Sequence, residues 1–168
     1  MTMQQRSIRL RADGEHDRQL DKLGGAPTSC HCAEAAYAAF CSEYHSLYSQ
    51  FAAVATGSTS VGRRLARAFL EELASQWFAA LRSASPSGFA WALLAEVIAP
   101  YRTGSVRTLY QRLGATEAGA LLLRYRIGCS ATAAGRAMGM SPDAFELLRR
   151  RALMNASHAW HMPVSDAV

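Results

Sequence analysis

The residues of this chain that could hold a metal cluster near its first third: Cys30, His31, Cys32, Cys41 and His45. Cys41 and His45 lie one helical turn apart, a spacing that puts both on one face. Zinc accepts thiolate and imidazole, but Cys30 and Cys32 enclose a single residue, where structural zinc sites use two to four. The expectation is therefore reduced thiols, with no metal and no cofactor. A second pair, His158 and His161, flanks Trp160 in a polar tail and forms no ligand set. Catalysis would need a nucleophile with a partnered base, or convergent carboxylates. The central body offers only Glu34, Glu43, Glu71, Glu72 and Glu96, in no such spacing. No catalytic residue is assigned, and the chain is read as a non-enzyme.

Arginine is the other chemistry in the sequence. Of 168 residues, 18 are basic and 13 acidic, a net charge of +5. Residues 1–28 are close to neutral, residues 29–100 are net −1, and residues 101–168 hold nine basic against four acidic side chains. A basic third on a neutral body points to a polyanion partner, because each cation that meets a phosphate releases condensed counterions. Lys22 is the only lysine. Arginine suits phosphates and guanine edges, although the abundance of Arg, Ala and Gly also resembles codon composition.

Periodicity sets the elements that must position these groups. Half of the chain is apolar, enough for a real core. Residues 1–28 show no lasting period and read as a disordered arm. From Ala33, Ala36, Phe40, Tyr44, Leu47, Tyr48 and Phe51 recur at helical spacing up to Thr56-Gly57-Ser58. Val61, Leu65, Phe69, Leu73, Trp77 and Leu81 then recur every four residues. Four residues overshoot a turn by about 40°, so this row winds around its helix. A third helix runs from Phe89 to Ala99 and is stopped by Pro100. Residues 29–100 thus form a three-helix domain, 101–106 a linker, 107–156 a second helical domain and 157–168 a tail. No segment alternates as a half-buried strand does, so the fold class is all-α, in two small domains. No stretch approaches the roughly 18 apolar residues of a membrane span. Met1 to Lys22 lacks a signal-peptide core. The expectation is a soluble, cytoplasmic protein without a membrane partner.

The sharpest local signal runs from Gly128 to Phe145. Ser130 can cap a short helix that carries Ala134 and Met138 on one face, and Gly139 can take the positive φ of a tight turn. Ser141 can cap a second helix with Pro142 at its first position and Asp143 in its first turn. Phe145, Leu148 and Ala152 would face inward. This is a helix-turn-helix, whose second helix enters a major groove. The run Arg149-Arg150-Arg151 near its end suits phosphate contacts. A plain helical hairpin is the competing reading.

The stretch Ala115-Thr-Glu117-Ala-Gly-Ala-Leu121-Leu-Leu123-Arg124-Tyr125-Arg-Ile127-Gly128-Cys-Ser130, continuing through Gly139-Met140-Ser141 to Arg151-Ala152-Leu153, resembles the fourth region of small bacterial RNA polymerase sigma factors of the extracytoplasmic-function type. A weaker resemblance to their second region covers Tyr44 to Arg102, with Thr56-Gly57, Trp77 and Trp91 in family-like places. The resemblance implies a protein that binds promoter DNA and RNA polymerase core, and it admits an anti-sigma protein as a further partner. Arg124, Arg126, Arg136, Arg149, Arg150 and Arg151 would hold the DNA backbone. Asp143, Ala144, Glu146 and Leu147 would face bases, and Ser130, Thr132 and Ser141 would complete that interface. Arg63, Arg67, Leu70, Glu71 and Trp77 would meet the polymerase.

The second region departs from the family. Arg67 and Leu70 stand where acidic and amide side chains are usual. Leu94, Val97 and Ile98 replace the melting residues after Trp91, and in the reading helix of the fourth region Glu146 stands at a usually basic position and Arg149 at a usually apolar one. A stand-alone helix-turn-helix regulator that no longer binds polymerase or melts promoters is the alternative. An interaction protein that binds no DNA would show no response of DNA affinity to salt. Metal is expected to be dispensable: protein purified under reducing conditions should hold well under one zinc per chain, and a chelator should leave its helical circular dichroism unchanged.

Overall fold

Apolar residues at helical spacing must bury one face, and the first helix shows which. The computed structural model describes residues 27–161, with side chains from 31 to 157. The arm expected over 1–28 lies outside the described residues except for Pro27 and Thr28. These two open helix α1, Pro27–Thr56. The chain divides at Ala36 into two units. Of the first, the opening turns of α1 are described, where exposed His31 lies 3.6 Å from Glu34. The second unit runs from Tyr37 onward.

Phe40, Tyr44, Tyr48, Phe51, Ala52 and Ala55 form the buried face of α1. The helix ends as expected at Thr56, whose hydroxyl donates back to the Ala52 carbonyl at 2.8 Å. Gly57 follows with φ +66°. Helix α2, Thr59–Ser75, starts on Ser58, whose hydroxyl accepts from the Val61 N–H. It crosses α1 at Gly62, where any Cβ would collide with the Ala53 backbone.

The single helix expected from Val61 to Leu81 is in fact two. Gln76 leaves the helical conformation at φ −104°, ψ 9°, and a six-residue helix α3, Trp77–Arg82, resumes after it. The four-residue row explains the break. Its drift of about 40° per step would carry Trp77 off the core side. Beyond the kink, Trp77 is 5% exposed, with its ring 5.2 Å from Phe40 and 5.4 Å from Tyr37. Leu81, the last of the row, is left 40% exposed.

Helix α4, Pro86–Ile98, begins three residues before the expected Phe89, because Ser85 caps it and Pro86 takes its first position. A 3₁₀ turn, Ala99–Tyr101, absorbs Pro100, and helix α5 spans Gly104–Arg112. Only Arg102 and Thr103 of the expected linker are irregular, and both are tied down. Thr103 donates its hydroxyl to the Thr56 carbonyl at 3.1 Å. Arg102 donates to the Ala95 carbonyl at 2.9 Å and stacks 3.6 Å above the Tyr110 ring.

Helix α6, Ala115–Leu121, widens into a π turn, Leu122–Ile127. Six consecutive residues, Ala118 to Leu123, are buried. A helix apolar all round belongs at a centre. Helices α7, Ala131–Met138, and α8, Pro142–His161, pack on it and on each other. The expected tail is described only as far as His161 and begins inside α8. Among the described residues every regular element is helical, none is a strand, and no helix is long and apolar enough to cross a membrane.

The segments on either side of Arg102 share a core. Tyr48 donates its hydroxyl to the Ala137 carbonyl at 3.0 Å. Gly119 admits the edge of Trp91 so closely that a Cβ would lie 2.8 Å from its ring. Gly139, at φ +73°, seats the α7–α8 turn on Ser85 and Gly88. Gly128 has the similar φ of +83°, but nothing lies within 4 Å of where its Cβ would be. Alanine at either glycine meets the left-handed penalty of about 1–2 kcal/mol, and only at Gly139 does it also force α4 away. Gly139→Ala should therefore cost about 3 kcal/mol in urea unfolding and Gly128→Ala about 1 kcal/mol. Equal losses would show that the seam between α4 and the turn contributes nothing.

Candidate nucleic-acid interface

Both expected caps are present in the α7–α8 pair. Ser130 accepts from the Ala133 N–H at 3.1 Å and Ser141 from the Ala144 N–H at 3.2 Å. Gly135 is buried with the Met140 and Ser141 carbonyls 3.0–3.1 Å from where a Cβ would sit, which allows the turn to close tightly. Phe145, Leu148 and Ala152 face inward, as their spacing requires. The opposite face of α8 carries Asp143, Ala144, Leu147 and Arg150, all exposed, with Leu147 at 71%. Thr132 on α7 is also exposed.

The arginines differ in what holds them. Arg149 is clasped to Glu146 by two hydrogen bonds, Nε and Nη2 to Oε2 at 2.9 and 2.7 Å, and donates from Nη1 to the Tyr125 hydroxyl at 2.7 Å. Arg151 donates from Nε to Glu117 Oε1 at 2.9 Å, where Asn155 also donates at 3.0 Å, joining α8 to α6. Arg150, between them, has no hydrogen-bond or ion-pair partner among the described residues. Arg124 is exposed and donates to the Cys129 carbonyl at 2.8 Å. Arg136 lies 3.8 Å from Glu43 of α1 but stays largely in solvent. Arg126 is exposed.

The arrangement combines an exposed helix start with cations on the surfaces of the π turn, α7 and α8. Arg124, Arg126, Arg136 and Arg150 are open to solvent, whereas the Arg149 charge is balanced within the protein. Glu146, expected to face a base, is turned to Arg149. Sequence reasoning missed Tyr125 as the third member of this clasp, and 24 residues of separation leave no pattern that would reveal it.

The residues expected to meet polymerase divide as well. Arg63, Arg67 and Glu71 are exposed on α2. Leu70 is half-buried, and its carbonyl accepts from the Tyr37 hydroxyl at 2.7 Å. Trp77 belongs to the aromatic core. Cys32 is exposed and Cys41 half-buried, and among the described residues no three Cys, His, Asp or Glu side chains are grouped as metal ligands. The Cys30 side chain lies outside the described residues. Burial pushes the Cys129 thiol above its usual range, against the pull of Arg124.

Comparison with protein-family profiles, with characterised proteins and with solved structures gives no match.

The Arg149 hydrogen bonds hold the Glu146 carboxyl below its usual range. Its folded value then lies below the unfolded value of about 4.3. The clasp contributes its stability above about pH 4.3 and loses it as pH falls through the lower folded value. A carbon-detected NMR titration should show Glu146 with the depressed midpoint. In Arg149→Met that midpoint should return to the ordinary carboxylate range, and an unchanged midpoint would show that the clasp does not form in solution.

Proposed function

We propose that this protein binds duplex DNA as a transcription regulator, seating the first turns of α8 in a major groove as the reading helix of a helix-turn-helix. The observation that supports this best is the open start of α8. Its cap and its inward residues fix the helix on the body, while Asp143, Ala144, Leu147 and Arg150 leave one continuous face for base edges. Arg124, Arg126, Arg136 and Arg150 then supply phosphate contacts, which position the helix, and Ala144 and Leu147 supply apolar contact of the kind that reads a thymine methyl. The mechanism is recruitment, without a chemical step.

Two forms of this reading exist. The sigma-factor form rests on the resemblance of residues 115–153 and on exposed Arg63, Arg67 and Glu71. The stand-alone form is favoured by the shared core. Tyr48 and Ser85 from the expected polymerase-facing half hold α7 and its turn, which suits a single body on DNA better than two independently placed lobes. Co-purification with RNA polymerase core, lost in Arg63→Glu, would select the first form; its absence selects the second.

Fluorescence anisotropy with the full chain and labelled duplex should show affinity falling steeply with salt, each neutralised phosphate adding about 0.9 to the logarithmic slope. Arg150→Ala should weaken binding on every sequence and flatten that slope by about 0.9. Leu147→Ala should instead change which sequence is preferred. Negligible affinity at about 50 mM salt would end the DNA reading, since electrostatic binding is strongest there.

A further inference from the structure

The second unit contains an apolar cavity of about 530 Å³ between α5, the π turn after α6 and the far part of α8. Val106, Leu109, Leu113, Leu121, Leu122 and Ala156 form its walls, and four of these six are buried residues of the core. The cavity opens to solvent beside exposed Tyr125 and Arg126, so an apolar guest that filled it would remove these walls from water. Small-molecule sites occupy roughly 300–1,000 Å³ and combine apolar walls with a few polar groups. Here those polar groups have one sign. Ser105 and Thr108 contribute hydroxyls, Tyr125 a phenol, and the charged residues of the lining are Arg112 and Arg126, with no carboxylate among them.

The π turn places this chemistry. By widening the helix after Leu121, it keeps Leu122 and Leu123 buried and turns Tyr125 and Arg126 out to the cavity mouth. Such insertions into an α-helix occur frequently at functional sites. Arg126 is exposed and carries no hydrogen bond or ion pair among the described residues, which leaves its guanidinium for an anionic guest.

We propose that this cavity is a binding site for an amphipathic carboxylate, a saturated or lightly substituted acid of about ten to twelve carbons, a size within the range of such sites. The apolar chain lies against Leu109, Leu121, Leu122 and Ala156, and the carboxylate pairs with Arg126, bidentate geometry being open to a guanidinium. This assignment does not rest on DNA binding, but Arg126 is shared with the phosphate contacts proposed above, so it is tested without DNA and its failure leaves the DNA reading standing.

Isothermal titration of the full-length protein with decanoate and with decanol, both below the concentrations at which they aggregate and without DNA, tests it. Decanoate should bind once per chain and at least tenfold more tightly than decanol. Arg126→Gln, a change at an exposed position, should weaken decanoate by about tenfold and leave decanol unchanged. Ala156→Phe, which sets a bulky ring on the apolar wall, should weaken both at least tenfold while the helical circular dichroism stays that of the parent. Absence of saturable binding overturns the site. Equal affinity for acid and alcohol, or indifference of decanoate to Arg126→Gln, overturns the carboxylate. Self-association that Ala156→Phe removes, with no decanoate bound, would make the cavity a contact between two chains and overturn the proposal.

Discussion

Tyr48 is the side chain on which the rest of the second unit depends. It is 1% exposed, and its ring lies within 5.5–6.3 Å of Tyr44, Phe40, Phe69 and Trp91, so α1, α2 and α4 meet around it. Aromatic pairs at such separations contribute about 0.5–1.5 kcal/mol beyond the area they bury. Its hydroxyl reaches further, to the carbonyl of Ala137 in the last turn of α7. The last carbonyls of a helix have no partner within the helix, and burial keeps the Tyr48 phenol protonated as a donor well above its usual range. One residue thus fills the first core and satisfies a backbone acceptor of the segment that presents α8.

Glycine carries the same constraint from the other side. The α7–α8 turn can lie on the start of α4 only because Gly139 lacks a side chain, since a Cβ there would collide with the Gly88 backbone and the Ser85 hydroxyl. At Gly119 the edge of Trp91 enters in the same way. Arg102 and Thr103 reinforce the joint by tying the chain between α4 and α5 to Ala95, Thr56 and Tyr110. The orientation of α8 relative to α1 therefore follows from contacts at several separate points rather than from one loop.

What could be read in the amino-acid sequence was what local chemistry decides. The residues of the stop at Thr56-Gly57, with Ser130, Gly139, Ser141 and Pro142, act at their own helix ends, and each does so in the structure as its residue type requires. The inward residues of α8 follow from spacing alone. The four-residue row showed the drift but not where the helix would break, because Gln is an ordinary helix residue and the kink at Gln76 answers the positions of Phe40 and Tyr37, far earlier in the sequence. The π turn was hidden for a similar reason: Leu121 to Leu123 fit an α-helix as well, and only the packing of neighbours on all sides decides between them. In the candidate interface, the types and the exposure of Arg124, Arg126, Arg136 and Arg150 were legible, whereas the partners of Arg149 and Arg151 were not. Those partners, Tyr125 and Glu117, are brought near by α6, and no pattern in either segment points to the other.

These pairings change what the run of three arginines can do. Three adjacent residues on a helix point about 100° apart, so they cannot all face one phosphate backbone. Arg149 and Arg151 turn toward the π turn and α6, on either side of Arg150: Arg149 reaches the Tyr125 hydroxyl while Glu146 of α8 itself balances its charge, and Arg151 meets Glu117 of α6. Arg150 is left on the outward face that continues from Asp143 and Leu147. The run is therefore one outward cation flanked by two brackets that hold α8 against the body. Brackets of this kind fix α8 before anything meets its outward face, so that contact there costs less ordering entropy. The net charge of residues 101–168 therefore overstates the charge left unbalanced at the surface, which among the described residues lies in exposed cations such as Arg124, Arg126 and Arg150.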